Sequence, residues 1–409
     1  MSSLILDFFH SDGGGGKQIY GVKFANDGSA TRTYDAQGLV FEPSSTTIAG
    51  QDDFINADNS KSPFHIRECL SQYNISTGKQ EIVAYEGDTN YSTLRANSSY
   101  NVMIEFPKFY YKRPSKYEWM VSSYPVEGFA PSPMHYRNGV MHDYAYIAKY
   151  MSNSSYMSRP GQTIATNPSY NNSDGTGYTI ANFRTNFRSK GMYVLDYATL
   201  CSINILMLIK YASLNIQNVI GYGWCDTDHK ASTGGADAVK GKDGYTASDK
   251  MNNGQIVAMG IEDYWGNCLK FTDGIFKNGT TVFINTDIEH ITTNPSSSNH
   301  PGYLAVPGGT LNANNGFSWI TDFTYDTQFP WSFFPSSGNF VSNPTWPMGD
   351  PGLKISDGYW VDPASNDHVA IVGGGWYFGF ACGPFFLSLY SLLGYANTNL
   401  SASPFFLSD

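Results

Sequence analysis

Short apolar runs rich in Tyr, Val, Ile and Phe, broken by polar turn residues, fill the first part of the chain. Between Gln18 and Lys112 the runs are IYGVKFA, TRTYDAQGLVF, QEIVAYEG and YNVMIEFPKFYYK, with turn residues between them. β-branched and aromatic runs bounded by turn residues predict strands. The expectation is a small β-rich N-terminal module over 17–115. Residues 1–16 precede it as a short arm ending in the four glycines Gly13 to Gly16. Two further strands, YEWMVSSY and DYAYIAKYM, flank a Pro-rich loop and open a second unit over 116–409.

The pattern then changes. After a polar loop over 152–178, Thr179 stands before TIANFRTNFRSKG, with Gly191 as a stop; a Thr cap and a terminal glycine predict a short helix. From Asp196 to Asn215, DYATLCSINILMLIKYASLN is apolar on nearly every side, which predicts a buried helix. Two adjacent helices on irregular β structure define an α+β expectation. Residues 226–254 are rich in Gly, Ala, Asp and Lys and read as a long surface loop, with mobility expected. MGIEDYWGNCLKFTDGI follows, then short strands and Gly/Asn/Pro loops to about residue 360, with no internal repeat.

The C-terminal stretch departs from everything before it. From Val369 to Ser408 there is no Asp, Glu, Lys or Arg, against 15% charged residues in the whole chain. Ten of the 31 residues from 376 to 406 are Trp, Tyr or Phe, broken up by glycines at 373–375, 379, 383 and 394. A membrane-spanning helix needs about 20 unbroken apolar residues, and Gly, Ser and Asn interrupt this stretch too often; no membrane insertion is expected. A single core strand would end after about five to eight residues. A looped surface offering many rings remains, and rings give contact area at low entropic cost. The alternative is the ordinary core of a β-rich domain, with Phe385 and Phe405 the first candidates for it.

Charge and cysteine content narrow the function classes. The net charge is −10, and the 25 Lys and Arg residues are scattered, so no nucleic-acid surface is expected. Cys69, Cys201, Cys225, Cys268 and Cys382 are odd in number and widely spaced, which predicts free, buried thiols rather than disulfides or structural zinc. The N-terminus lacks the basic and apolar regions of a secretory signal, which points to folding in a reducing cytosol. His135, His142 and His229 have no partner at ligand spacing, and Asp226, Asp228, Asp237 and Asp243 lack the regularity of a calcium loop. No nucleophile elbow or phosphate-binding loop is present in a strand–turn–helix setting. No catalytic residue, metal or cofactor is therefore expected.

Three segments carry a resemblance: IANFRTNFRSKG with DYATLCSINILMLIKYASLNIQNVIGYG (180–223), GIEDYWGNCLKFTDGI (260–275), and VGGGWYFGFACGPF with NTNLSAS (372–403). Together with YGVKF and TRTYDAQGL upstream and VMIEFPKFYYK at 102–112, they resemble the C-type-lectin-like variable proteins of diversity-generating retroelements and their phage tail relatives. These share a fold with formylglycine-generating enzymes. The resemblance implies a rigid scaffold and a diversified ligand surface at about 360–406. On it, Tyr377, Phe378, Phe380, Phe385, Phe386, Tyr390, Ser391, Leu392 and Tyr395 are the variable, ligand-facing candidates. Trp265, Gly266, Asn267, Gly374, Gly375, Trp376, Asn397 and Asn399 are the scaffold candidates, with both Trp rings expected in the core. Randomising the first two bases of an AAC codon never yields Lys, Glu, Gln, Met or Trp; the first four are absent from 376–408, where the one Trp is Trp376. Asp, His and Arg, which the scheme allows, are absent as well.

The resemblance further implies a receptor-binding adhesin of a phage tail, made in the host cytoplasm and carried on the virion, or else displayed on a bacterial surface. Its partners would be a host-surface protein or glycan, other tail proteins and copies of itself, trimers being usual among phage receptor binders. A structural fibre component with its C-terminal patch buried between subunits is the alternative. A formylglycine-type oxidase is remote, because Cys268 and Cys382 lack that family's closely spaced pair.

Overall fold

A computed structural model describes residues 19–55, 64–289 except Asn171 and Ser173, 302–310, and 316–409 except Pro363 and Ser365. The expected arm over 1–16 lies outside the described residues. Among the described residues the largest sheets have five, six and nine strands and are dominated by antiparallel pairing. Among the described residues the helices of more than six residues are Ile180–Arg188 and Tyr197–Tyr211. The chain is thus β-rich and largely sheet, where an α+β domain behind a β-rich module was expected. The physical reason is that the Gly/Asn-punctuated stretch after residue 260, read as short strands, supplies every strand of a nine-stranded sheet.

Both helices start where their caps dictate. The Thr179 hydroxyl accepts the Asn182 amide at 3.2 Å, and the Asp196 carboxylate accepts the Thr199 amide at 2.8 Å. All 15 residues of Tyr197–Tyr211 are buried. That helix packs against strands Tyr20–Phe24, Glu118–Ser122 and Leu269–Asn278. Its polar residues are matched: Asn204 Nδ2 donates to the Pro384 carbonyl at 3.1 Å, and Lys210 pairs with Asp52 at 2.5 Å and with Asp243.

The sheets interleave distant parts of the sequence. One five-stranded sheet joins Tyr20–Phe24 and Ala30–Tyr34 to Tyr110–Ser115, Glu118–Ser122 and Ala130–Pro131. A six-stranded sheet places Arg67–Asn74, Lys79–Tyr85 and Asn101–Pro107 beside Tyr144–Ala148, Tyr193–Val194 and the C-terminal Pro404–Leu407. Strands from either side of residue 115, the expected module boundary, therefore pair within both, and one main apolar cluster runs through all three sheets.

The 226–254 segment was expected to be mobile, yet it is tied down repeatedly. Glu262 accepts the amides of Gly234 (2.7 Å) and Ala236 (2.9 Å), Lys149 pairs with Asp237 at 3.1 Å, and Asp243 pairs with the buried Lys210. Gly244–Tyr245 pairs with both Ile256–Ala258 and Ser44–Ser45. Its glycines and charges serve close packing and ion pairs with the body, which composition alone reads as looseness.

Candidate functional site

Much of the charge-free C-terminal stretch is the middle of the largest sheet. Asp367–Gly373 and Gly383–Leu389 are adjacent strands there, flanked by Leu269–Asn278 on one side and Gly358–Val361 on the other. A strand covered on both faces is apolar throughout rather than alternating. Phe385 consequently packs on Phe323 and Phe333, with centroids 4.9 and 5.2 Å away, and Phe386 packs edge-on against Phe378 at 5.4 Å. Phe378, Phe385, Phe386 and Ser391 are buried, so the expectation that they face a ligand is corrected: Phe385 and Phe386 sit in a strand covered on both faces, Phe378 packs from its loop on Trp346 at 4.4 Å and on Phe386, and the Ser391 carbonyl accepts the Val369 amide at 2.9 Å. Phe405 is buried too.

The remaining five candidates lie on the two loops that leave this sheet. Tyr390 and Leu392 are each 43% exposed. Tyr377, Phe380 and Tyr395 are half-buried. Rings from outside the C-terminal segment complete the surface. Because Gly358–Val361 runs parallel to Gly383–Leu389, with Trp360 opposite Ser388, Trp360 lies next to Tyr390 at 5.4 Å. Trp346 stacks on Trp360 at 5.7 Å and meets Tyr377 at 6.3 Å; Tyr377 in turn contacts Trp376 at 4.7 Å. Tyr390, Trp360, Trp346, Tyr377 and Trp376 thus form a continuous run of five rings, each at least partly open to solvent. Sequence reasoning missed Trp346, Trp360 and the exposed Tyr170, whose phenol acts electrostatically on Tyr377.

The scaffold residues hold this surface in place. Trp265 is fully buried and its Nε1 donates to the Tyr222 carbonyl at 3.3 Å. Asn267 accepts the Ala231 amide at 2.9 Å and donates to Asp263 at 2.7 Å, pinning the loop that runs beside Trp376. Gly266 has φ +78°, and a Cβ there would come 2.8 Å from Cys225 Sγ. Gly374 has φ +76°, whereas a Cβ on Gly375 would find 3.4 Å of clearance, so the demand for glycine falls on Gly374. Asn397 donates to the Tyr395 hydroxyl at 2.6 Å and Asn399 to the Tyr377 hydroxyl at 3.1 Å, which orients two of the exposed rings. Burial raises the pKa of both Tyr377 and Tyr395, so they remain neutral phenols able to donate and accept. Trp376 departs from expectation: it is half-buried, not core, and lines an open cleft.

All five cysteines are buried and unbonded. Cys382 lies beside Cys225, while Cys268 packs apart from them with Met151 and Ile164. Among the described residues no group of three or more His, Cys, Asp or Glu side chains is placed to hold a metal ion, and no helix is long and apolar enough to cross a membrane.

No protein family model and no curated protein sequence matches the chain. Among solved structures it is similar to the Major Tropism Determinant P3c variant, at 10% identity and a TM-score of 0.33, over 97% of this chain and 73% of that one. It is likewise similar to the Major Tropism Determinant M1 variant, at 11% identity and a TM-score of 0.32, over 94% of this chain and 83% of that one. The likeness spans nearly the whole chain but is coarse, and at this level it defines neither fold nor function.

Proposed function

We propose that this chain is a non-enzymatic receptor-binding protein of a phage tail, with a C-type-lectin-like core that presents aromatic loops to a host-surface ligand. The continuous run of Tyr390, Trp360, Trp346, Tyr377 and Trp376 carries this reading. Partly exposed Trp and Tyr rings, here carried mostly on loops held by a sheet, are the side-chain types that dominate binding energy at interfaces. The C-terminal loops add no charge of their own, so affinity rests on ring contact and hydroxyl hydrogen bonds, multiplied by the copies a particle carries. The solved structures it coarsely resembles are tropism determinants by name; the ring surface, not that likeness, supports the role.

Competition tests it. Purified chain should block adsorption of the particle to host cells, and a Tyr390→Ser, Leu392→Ser double variant should block it at least about tenfold less well, since each hot-spot contact is worth more than about 1 kcal/mol. Equal blocking by both proteins sinks the proposal. Rings protected from solvent labelling in the assembled particle would instead place this patch between subunits, as in a fibre component.

A further inference from the structure

The cleft that Trp376 lines has a chemistry of its own. It is open, encloses about 500 Å³, and runs between the 154–168 loop, Tyr178, Lys230 and Thr398. That volume lies in the usual range for small-molecule sites, about 300–1,000 Å³. Its walls belong to the fixed framework: the Asn167 amide donates to the Asn397 carbonyl at 3.1 Å, and Asn172 and Ala396 exchange backbone bonds at 3.0 and 2.8 Å. Tyr178 is itself braced from behind by Phe183, with centroids 5.7 Å apart.

Lys230 is the distinctive group. Its ammonium is held at the cleft by the Thr166 hydroxyl and, at 3.4 Å, by the Ile164 carbonyl. Both partners are neutral, and among the described residues no carboxylate forms an ion pair with it. A part-buried cation with only neutral partners is a ready anion receptor. Around it stand the half-buried faces of Trp376 and Tyr178 and the exposed hydroxyls of Ser154 and Thr163. A ligand that satisfies all of these at once has an apolar face for a ring, several hydroxyls and one negative charge.

We infer that this cleft binds an acidic sugar residue, a pyranose carrying a carboxylate, with the carboxylate on Lys230 and the ring face on Trp376. The inference rests on the binding role above in one respect, since Trp376 belongs to both surfaces. With a net charge of −10, the chain as a whole repels anions, so selectivity depends on this one local cation and weakens with salt.

The probes are methyl β-glucuronide and methyl β-glucoside, equal in size and different in charge, with glucose 6-phosphate as a third. Saturation-transfer NMR on the full chain should show the glucuronide bound about tenfold more tightly than the glucoside. Lys230→Met should remove that preference while leaving the glucoside unchanged, and Trp376→Ala should weaken both, with melting curves kept near wild type. Lys230→Gln serves if the Met variant unfolds. Tighter binding of the phosphate than of the glucuronide, equal binding of the two glycosides, or binding of neither overturns the inference. If the chain still blocks particle adsorption while the glucuronide does not bind, the cleft assignment fails and the receptor-binding role stands.

Discussion

At Gly374 the chain turns out of the central sheet with φ +76°, and a Cβ there would sit 2.6 Å from Cys382 Sγ and 2.7 Å from its Cα. Both the left-handed backbone and the contact with a neighbouring main chain oppose any side chain. Gly374→Ala should therefore cost about 2–4 kcal/mol, read as a lower denaturation midpoint, whereas Gly375→Ala should be mild. Equal effects would remove the scaffold role assigned to Gly374. His135 sets a second test. It is fully buried, and burial pushes its imidazole down to about 3, helped by Arg137, His142 and Lys108 and opposed by its bond to the Phe106 carbonyl. An unfolded His titrates near 6.5. The stability from keeping His135 neutral is thus complete above that pH and is lost progressively as pH falls from about 6.5 toward 3. His368 acts in the same direction, while Glu262, pushed up to about 8 by burial, acts oppositely. The difference between proteins isolates the term: His135→Gln should lose less stability than wild type between pH 7 and 5, and parallel curves would refute the assignment.

At the scale of elements, helices were legible and the ring surface only partly so. Thr179 and Asp196 announce their helices because a cap is a local interaction, and the run from Leu200 to Ile209, apolar on nearly every side and without a charge, marks a buried one. Strand Gly383–Leu389 offers no such signal. Covered on both faces, it shows no alternation, and a run of uncharged aromatic residues looks the same in a sheet interior as on a binding loop. Phe386 was misplaced for that reason, and Phe385, though named as a core candidate, stayed among the ligand-facing set. Trp346 and Trp360 were invisible as site residues because the parallel pairing of Trp360 with Ser388 joins segments whose relation no local pattern encodes. The two kinds of ring should separate on mutation. Phe386→Ala should cost about 3–5 kcal/mol through cavity formation, while Tyr390→Ala should change stability by no more than about 0.5 kcal/mol. Comparable losses would show that Tyr390 belongs to the core.

Across the whole molecule, one apolar cluster joins the sheets that hold Tyr20–Phe24, Tyr144–Ala148 and Pro404–Leu407 to the nine-stranded sheet from which the C-terminal ring loops leave. Those loops are anchored at both ends by central strands and braced by Asn267, Asn397 and Asn399, so the rings are presented with little entropy left to lose on binding. Sequence composition located this region but could not divide it into core and surface; tertiary pairing makes that division. Alanine replacement at Tyr377, Tyr390, Leu392 and Tyr395, one at a time, with binding of the purified chain to host cells measured beside its melting curve, tests the central claim most directly. The account expects binding to fall several-fold or more at two or more of these positions while melting stays near wild type, since hot-spot contacts each exceed about 1 kcal/mol. Binding that is undiminished at all four, or that falls only in step with stability, would contradict it.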